Sequence, residues 1–369
     1  MRKLQLSAIS RPVLLASIAT ILIVSAWSGW WWLAGHILRR SFDDWIATER
    51  QQGSEVRFGA LVLSGFPLRV CATVSDLAII RSDGSRWHGP EVMVEAPAWH
   101  ITTLHMRLNG QHDWHLPAGS VTTIASTQGG EGWLTLGGAA GFTDLRAHLT
   151  GVVIIAEGED AAATNVARLD LTISAPRQVP NKATDTGLMI TIEVDKILMP
   201  PKWELPLGPT IESLALIARV MGLPPAFNQA SLAGWSQAGG NIVIDSFNLH
   251  WGQLGLGAEG SLGLDQILQP IGALTTEVTG VGAAIDAMVA TGWVKAKQGH
   301  TVKSVLTGLM PHGEGKALLP NPAIKLPLSL HDRYIHVGPF RLMQVPPVTW
   351  PIGPSPTGTG QLPAALNKV

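Results

Sequence analysis

Between Arg11 and Arg39 the chain carries no Asp, Glu, Lys or Arg, and Val13 to Gly35 (VLLASIATILIVSAWSGWWWLAG) is a run of 23 uncharged residues. About 20 apolar residues in a helix suffice to cross a hydrocarbon layer roughly 30 Å thick. This run therefore constrains everything after it, because whatever folds must do so on one side of a bilayer. Trp27, Trp30, Trp31 and Trp32 gather at its C-terminal end, where indole rings favour the headgroup layer and would form an aromatic belt. Arg2, Lys3 and Arg11 precede the run without an acid, whereas Arg39 and Arg40 after it are soon balanced by Asp43, Asp44 and Glu49. The positive-inside preference then places the N-terminus in the cytoplasm and the body in the periplasm of a single-pass inner-membrane protein. The competing reading is a cleaved signal peptide. That would want an apolar stretch of only about 7–15 residues and small residues at the cut, where this chain has bulky tryptophans.

After the anchor (13–35, preceded by a cytoplasmic tail 1–12), residues 36–53 place Ile37, Phe42, Trp45 and Ile46 at helical spacing, and Gly53 is a natural stop. Past Gly53 the period falls to two, as in Val56, Phe58, Ala60 and Val62, and Gly65-Phe66-Pro67 turns the chain into a second alternating run, Leu68 to Val74. Strand expectations continue at 76–81, 91–96, 98–108, 121–126, 132–137, 142–157, 165–174, 188–197, 211–220, 241–250, 253–264 and 272–280, then at Ala323–Leu330 and Arg333–Val337. Helices are expected at Ala226–Ala238, at Gly282–Lys297 with Ile285, Met288, Val289 and Trp293 on one face, and at Thr301–Leu309. Forty Gly and 25 Pro, with only 14% charged residues, suit many short strands and tight turns. The expected fold is mainly β with minor α: a curved, meandering antiparallel sheet, an open groove or half-barrel, with short C-terminal helices. The strand-rich body spans 54–345. The Pro-rich stretch near 175–187 is a candidate subdomain boundary or long surface loop, and the Pro/Gly-rich tail 346–369 is expected to be disordered.

Chemistry-bearing patterns are weak. Gly255-Leu256-Gly257-Ala258-Glu259-Gly260 fits G-x-G-x-x-G, but it sits within alternation and no helix opens after it, so glycines that allow a bend are the better reading. His100, His105, His112 and His115, with Asp113, lack a metal-ligand spacing, and as strand residues His112 and His115 face opposite ways. His331 and His336 are read as facing opposite ways too. Cys71, the single cysteine, allows no intrachain disulfide and reads as buried and structural despite Arg69 nearby. Asp43-Asp44 reads as solvated charge on the juxtamembrane helix. Gly65, Phe66 and Pro67 form the most distinctive turn, with Phe66 as a buried plug or as a contact to lipid or a partner. No catalytic, cofactor-binding or metal-binding residue is assigned, and none of the cofactor motifs points to a cofactor. A net charge of -1 does not favour a nucleic-acid partner.

The stretches GWWWLAGHILRRSFDDWIATERQQG, FGALVLSGFPLRVCATVSDLAI and RWHGPEVMVEAPAW, with the later FNLHWGQLGLGAEGSLGLDQILQPIGALTTEVTG and SLHDRYIHVGPFRL, resemble the bacterial domain of unknown function 2125 family (DUF2125). That resemblance brings no catalytic residues with it. A looser similarity, in the repeated strand and G-x-L-x-L-D rhythm, links the chain to AsmA-type envelope proteins. It implies a curved sheet with an apolar inner groove thought to guide lipids. The expectation is a non-enzymatic envelope protein that binds or guides an apolar ligand such as lipid. The alternatives are an assembly module that binds another envelope protein through its strand edges, and, third, an envelope hydrolase.

Overall fold

A strand that alternates apolar and polar residues must find cover for one face only, and nearly every strand of this chain alternates. In the computed structural model, residues 11–51, 53–81, 84–115, 122–126, 129–156, 162–225, 228–297, 323–337, 340–348 and 350 are described. The chain begins with a single helix, α1 (Arg11–Gln51), so the apolar run and the juxtamembrane segment are one continuous element of 41 residues. At 1.5 Å per residue it is roughly 60 Å long. It ends where Gly53 takes φ +85° and Ser54 N–H reaches back to the Glu49 carbonyl, a left-handed glycine cap. The large apolar side chains from Val13 to Val24 are 47–69% exposed, whereas Ala34, Gly35 and Ile46 are buried.

All strands join one antiparallel sheet. β1 (Glu55–Arg57) and β2 (Leu61–Ser64) lie end to end along one edge of β3 (Arg69–Ile80), and β4 (Arg86–Pro97) takes the other edge. β5 (Thr103–Asn109) and β6 (His112–His115) share the far edge of β4; β8 (Gly130–Leu136) and β7 (Thr122–Ser126) pair with them in turn, and β9 (Phe142–Ala156) spans both. The chain then meanders through β10 (Ala162–Ser174), β11 (Thr186–Leu198), β12 (Thr210–Met221), β13 (Asn241–Trp251), β14 (Leu254–Leu264), β15 (Pro270–Thr279), β16 (Ile324–His331), β17 (Tyr334–Val337) and β18 (Phe340–Gln344), each antiparallel to the last. Three lanes hold two strands each, so these 18 strands fill 15 lanes. At about 4.8 Å per lane the sheet would extend nearly 70 Å if flat. Among the described residues no pairing joins β18 to β1 or β2, and the sheet is open. The Pro-rich stretch after Ser174 is a loop between paired strands, since Ser174 faces Met189 across β10 and β11.

In β3, β4, β9, β10, β11 and β12 the pairing skips a residue, and these breaks line up. Ladder pairing skips Asp76 opposite Pro90, Gly151 opposite Ala167, Ala167 opposite Lys196, and Lys196 opposite Glu212. Asp76, Gly110, Gly151 and Lys196 all adopt positive φ, between 48° and 85°. Asp76, Gly151 and Lys196 each drop out of the ladder together with the residue opposite, so the register is kept while the strand kinks as at a bulge; Gly110 takes the same conformation between β5 and β6. Repeated at matched positions from β3 to β12, the bulges crease the sheet along a line. Glu212 ends that line by accepting a hydrogen bond from Gly252 N–H at 2.9 Å in the β13–β14 turn. The side-chain consequence is a step of three instead of two. Val74 and Leu77 belong to one apolar cluster, and Leu149 with Val152, Val166 with Leu169, and Val194 with Ile197 belong to another. The left-handed residue restores the apolar face to the same side after the crease. Without it every later side chain would point the wrong way.

The outer face is polar and laced with cross-strand contacts, the His148–Asp170 hydrogen bond at 2.6 Å and the ion pairs Arg168–Asp195 at 2.5 Å and Arg219–Asp245 at 2.6 Å among them. The inner face is apolar. The C-terminal half of α1 covers it at one end. α2 (Gln229–Gln237) is capped by the Asn228 side chain on Ser231 N–H; its Trp235 indole donates to the Met221 carbonyl, and it meets the Leu264 end of β14. α3 (Val281–Ala290) sits at the other end of β14. Its cap, Gly280, must be glycine, because a Cβ there would lie 1.8 Å from the Gln253 carbonyl oxygen.

The mainly β, meandering and open architecture is the expected one, and several local expectations are corrected. Residues 98–102 turn, and β5 starts at Thr103. The runs 68–74 and 76–81 are one strand, β3, read as two because of the crease. α3 ends at Ala290, ahead of Gly292 at φ +77°, so Trp293 lies beyond its helical face and is exposed. His331 and His336 share a face: Asp332 and Arg333 form a two-residue turn with both φ positive, and Ser329 pairs with His336. Their rings stack at 4.0 Å. The expected helix Thr301–Leu309 lies outside the described residues. Val348 and Trp350, at the start of the Pro/Gly-rich tail, are held by hydrogen bonds to Gln269 and Leu268.

The crease makes a stability prediction. Gly110→Val would put a Cβ 2.8 Å from the Pro90 ring at φ +85° and should destabilise the chain by about 2 kcal/mol or more. Lys196→Gly, which relieves a left-handed lysine, should be neutral or stabilising by up to about 1 kcal/mol. Urea unfolding of the detergent-solubilised protein measures both.

Candidate functional site

Helical spacing puts Trp27, Trp31, Ala34 and Leu38 on one face of α1, and this face meets the turn at Gly65-Phe66-Pro67. Gly65 adopts φ +99°, and a Cβ there would lie 2.7 Å from the Arg69 carbonyl oxygen. The Phe66–Pro67 bond is cis. Arg69 N–H closes the turn on the Gly65 carbonyl and Ala98 N–H bonds the Leu68 carbonyl, joining this turn to the next one, 97–102. Three indoles then pin the helix to both turns. Trp27 Nε1–H donates to the Pro67 carbonyl at 2.9 Å, Trp31 to that of Arg69 at 2.6 Å, and Trp30 to that of Ala98 at 2.6 Å. The Phe66 ring meets Trp31 edge to face at 5.6 Å. Ala34, Val70 and Ala98 are buried just below this latch. Trp32 points away, stacked on His36 and exposed.

Beyond the latch, α1 and the sheet part enough to leave a cavity of about 860 Å³, within the range typical of ligand sites. Its floor is the inner face of β3, β4, β5 and β8: Val70, Ala72 and Val74, then Val92, Val94 and Ala96, Leu104 and Met106, Leu134 and Leu136. Its roof is Ile37, Leu38, Phe42 and Trp45 of α1. The polar lining groups, Arg39, Ser41, Asp44, Thr48 and Gln51, all come from the helix. Such a wall offers burial to hydrocarbon and few fixed polar contacts, so it selects for apolarity rather than for a particular headgroup. The apolar face continues past the cavity, through Leu149, Val152, Val166, Val194 and Leu214, which lie together on β9 to β12.

At the far end of the cavity floor Trp87, a lining residue, stacks on His112 at 5.7 Å, and Trp114 lies 6.1 Å from the same imidazole. His112 is fully buried. It fits only because residue 89 is glycine: a Cβ there would lie 2.1 Å from Nδ1. Burial pushes its pKa below the usual histidine value, so the ring is neutral near pH 7. On the outer face Glu95, 13% exposed, accepts from Arg69 at 3.1 Å, His105 at 3.1 Å and Arg107 at 2.9 Å. Burial opposes its ionisation, but the hydrogen bond from His105 and the Arg107 and Arg69 charges outweigh it, and its pKa falls below the ordinary carboxylate value.

The five residues of the sequence-level histidine group are not brought together. His105 lies on the outer face with Glu95, His112 on the inner face between tryptophans, and His100 in the 97–102 turn beside Thr102. Asp113 receives a hydrogen bond from the Gln111 amide. Cys71 is buried, on the Arg69 side of β3. The G-x-G-x-x-G run lies wholly within β14, with no helix opening from it. Sequence reasoning missed the Glu95 cluster and the Trp87–His112–Trp114 stack. Arg69, Glu95, His105 and Arg107 meet only through the registers of β3, β4 and β5, and no local spacing announces them.

A family model described as "Uncharacterized protein conserved in bacteria (DUF2125)" matches residues 30–346, and the chain belongs to that family. No curated protein and no solved structure matches it, so the AsmA likeness rests on strand rhythm alone.

Two predictions follow from the titrating groups and the latch. Both lowered pKa values mean stability that is present above the unfolded-state pKa and is lost as pH falls through the folded-state value. For His112 the loss begins below about pH 6.5, and for Glu95 below about pH 4.3. His112→Phe should flatten the fall in stability between pH 7 and 5, read from unfolding midpoints, and Glu95→Gln should leave that interval unchanged. Replacing Trp30 and Trp31 together by Phe keeps apolar bulk but deletes two indole donors. Amide exchange at 64–69 should then quicken by about tenfold or more, with exchange in β11 and β12 unaltered.

Proposed function

We propose that this DUF2125 protein is held in the bacterial inner membrane by the first part of α1, with its sheet in the periplasm, and that the cavity beneath α1 takes up the acyl chain of a lipid. The observation that carries the reading is the apolar floor shared by β3, β4, β5 and β8, roofed by the same helix whose preceding turns are apolar and exposed. A site built this way sits beside its ligand's reservoir and needs no polar recognition. The charge order along the anchor and its tryptophans supports a cytoplasmic N-terminus.

A second reading, an assembly module, is favoured by one observation. Among the described residues the outer edges of β18 and of the β1–β2 lane have no neighbouring strand, and such edges accept a partner strand.

The full chain, purified in a mild detergent and analysed by native mass spectrometry, should carry lipid. Met106→Trp combined with Leu134→Trp, which fills the cavity floor, should reduce bound lipid severalfold without lowering the unfolding midpoint by more than about 1–3 kcal/mol in stability. Wild-type protein free of lipid, or equal loading of the filled variant, would overturn the proposal.

A further inference from the structure

The two turns that hold α1 end in large apolar side chains that the fold leaves more than half exposed. Phe66 is 54% exposed, Leu68 60% and Trp99 63%. They belong to turns that are hydrogen-bonded to each other through Ala98 N–H and the Leu68 carbonyl, so the three form one patch rather than scattered exposures. Their level along the helix is fixed too, because the carbonyls of Pro67, Arg69 and Ala98 receive the indoles of Trp27, Trp31 and Trp30. Those tryptophans directly follow the exposed apolar stretch that ends near Val24.

We infer that the tips of the β2–β3 and β4–β5 turns are immersed in the outer interfacial layer of the bilayer that α1 spans, with Phe66, Leu68 and Trp99 as the inserted side chains. The inference rests on the anchored reading above and deepens it. A bilayer is the one occupant argued for, because the patch is continuous with the apolar surface of the helix itself. An indole–carbonyl latch at headgroup depth leaves side chains beside it no aqueous position. Immersion also fixes where the cavity begins. Ala34, Val70 and Ala96 line its near end, one helical turn or so (about 5.4 Å) past Trp30 and Trp31, so the cavity starts just outside the inserted tips.

The test uses the full chain in vesicles of a zwitterionic lipid, in a Cys71→Ala background, labelled at single sites with an environment-sensitive fluorophore. Phe66→Cys, Leu68→Cys and Trp99→Cys are the tip sites. Ile23→Cys reports on the anchor, and Val179→Cys, 67% exposed in the loop after β10, is the aqueous control. With headgroup-proximal brominated or spin-labelled lipid, the three tip labels should lose about half their emission or more, as expected for groups at interfacial depth, and Val179 should lose almost none. Quenching at Ile23 without quenching at the tips would overturn the inference while leaving the anchor standing. Absence of quenching at Ile23 would overturn the anchored reading and the inference together.

Discussion

Everything in this structure follows from keeping apolar side chains on one side of a very long sheet. A strand has only two faces, and a bulge exchanges them. The sheet is nevertheless creased, because a residue skipped in one strand is matched by one in its neighbour in β3 and β4 and again from β9 to β12. The step from Val74 to Leu77, repeated from Val166 to Leu169 and from Val194 to Ile197, lets the sheet crease without turning its core to the solvent. One face then carries ion pairs, and the other carries hydrocarbon from β3 across to β12.

A face that large needs cover, and the described helices supply it unevenly. α2 and α3 sit at opposite ends of the same strand. α1 lies across the first few lanes, but it touches them closely only at the latch and again near Ile46. Between these two contacts it stands off. The cavity therefore arises from how the helix is attached. The glycine turn at Gly65 leaves carbonyls that indoles can reach, and this sets the height of the helix over the sheet. Structure and proposed function meet here: the tether that would hold the protein in the membrane is also the roof of its candidate binding site.

Much of this architecture was legible in the sequence, for identifiable reasons. The helix and the meander could be read because each rests on a local period, 3.6 or 2, and on Gly and Pro punctuation. Fold legibility failed where two periods interfere. The crease made β3 look like two strands, and a turn of two left-handed residues, Asp332 and Arg333, brought His331 and His336 to one face. The site was less legible. The tryptophans stood out as a cluster at the end of the apolar run, but their hydrogen bonds to Pro67, Arg69 and Ala98 join residues 38 to 68 positions apart. The Glu95 cluster depends on register in the same way. Nothing in a single strand reveals whether its apolar face will be packed or left open, because that is decided by how far a distant helix stands away.

The most direct test of the central claim is to label the full chain, reconstituted in lipid vesicles, with a fatty acid bearing a photoreactive diazirine near its tail and to map the adducts by peptide mass spectrometry. The account predicts adducts on the cavity floor, at Leu104, Met106 and Leu134, as well as on the exposed part of α1. Adducts confined to α1 would mean that the inner face is closed to lipid, and would contradict the account.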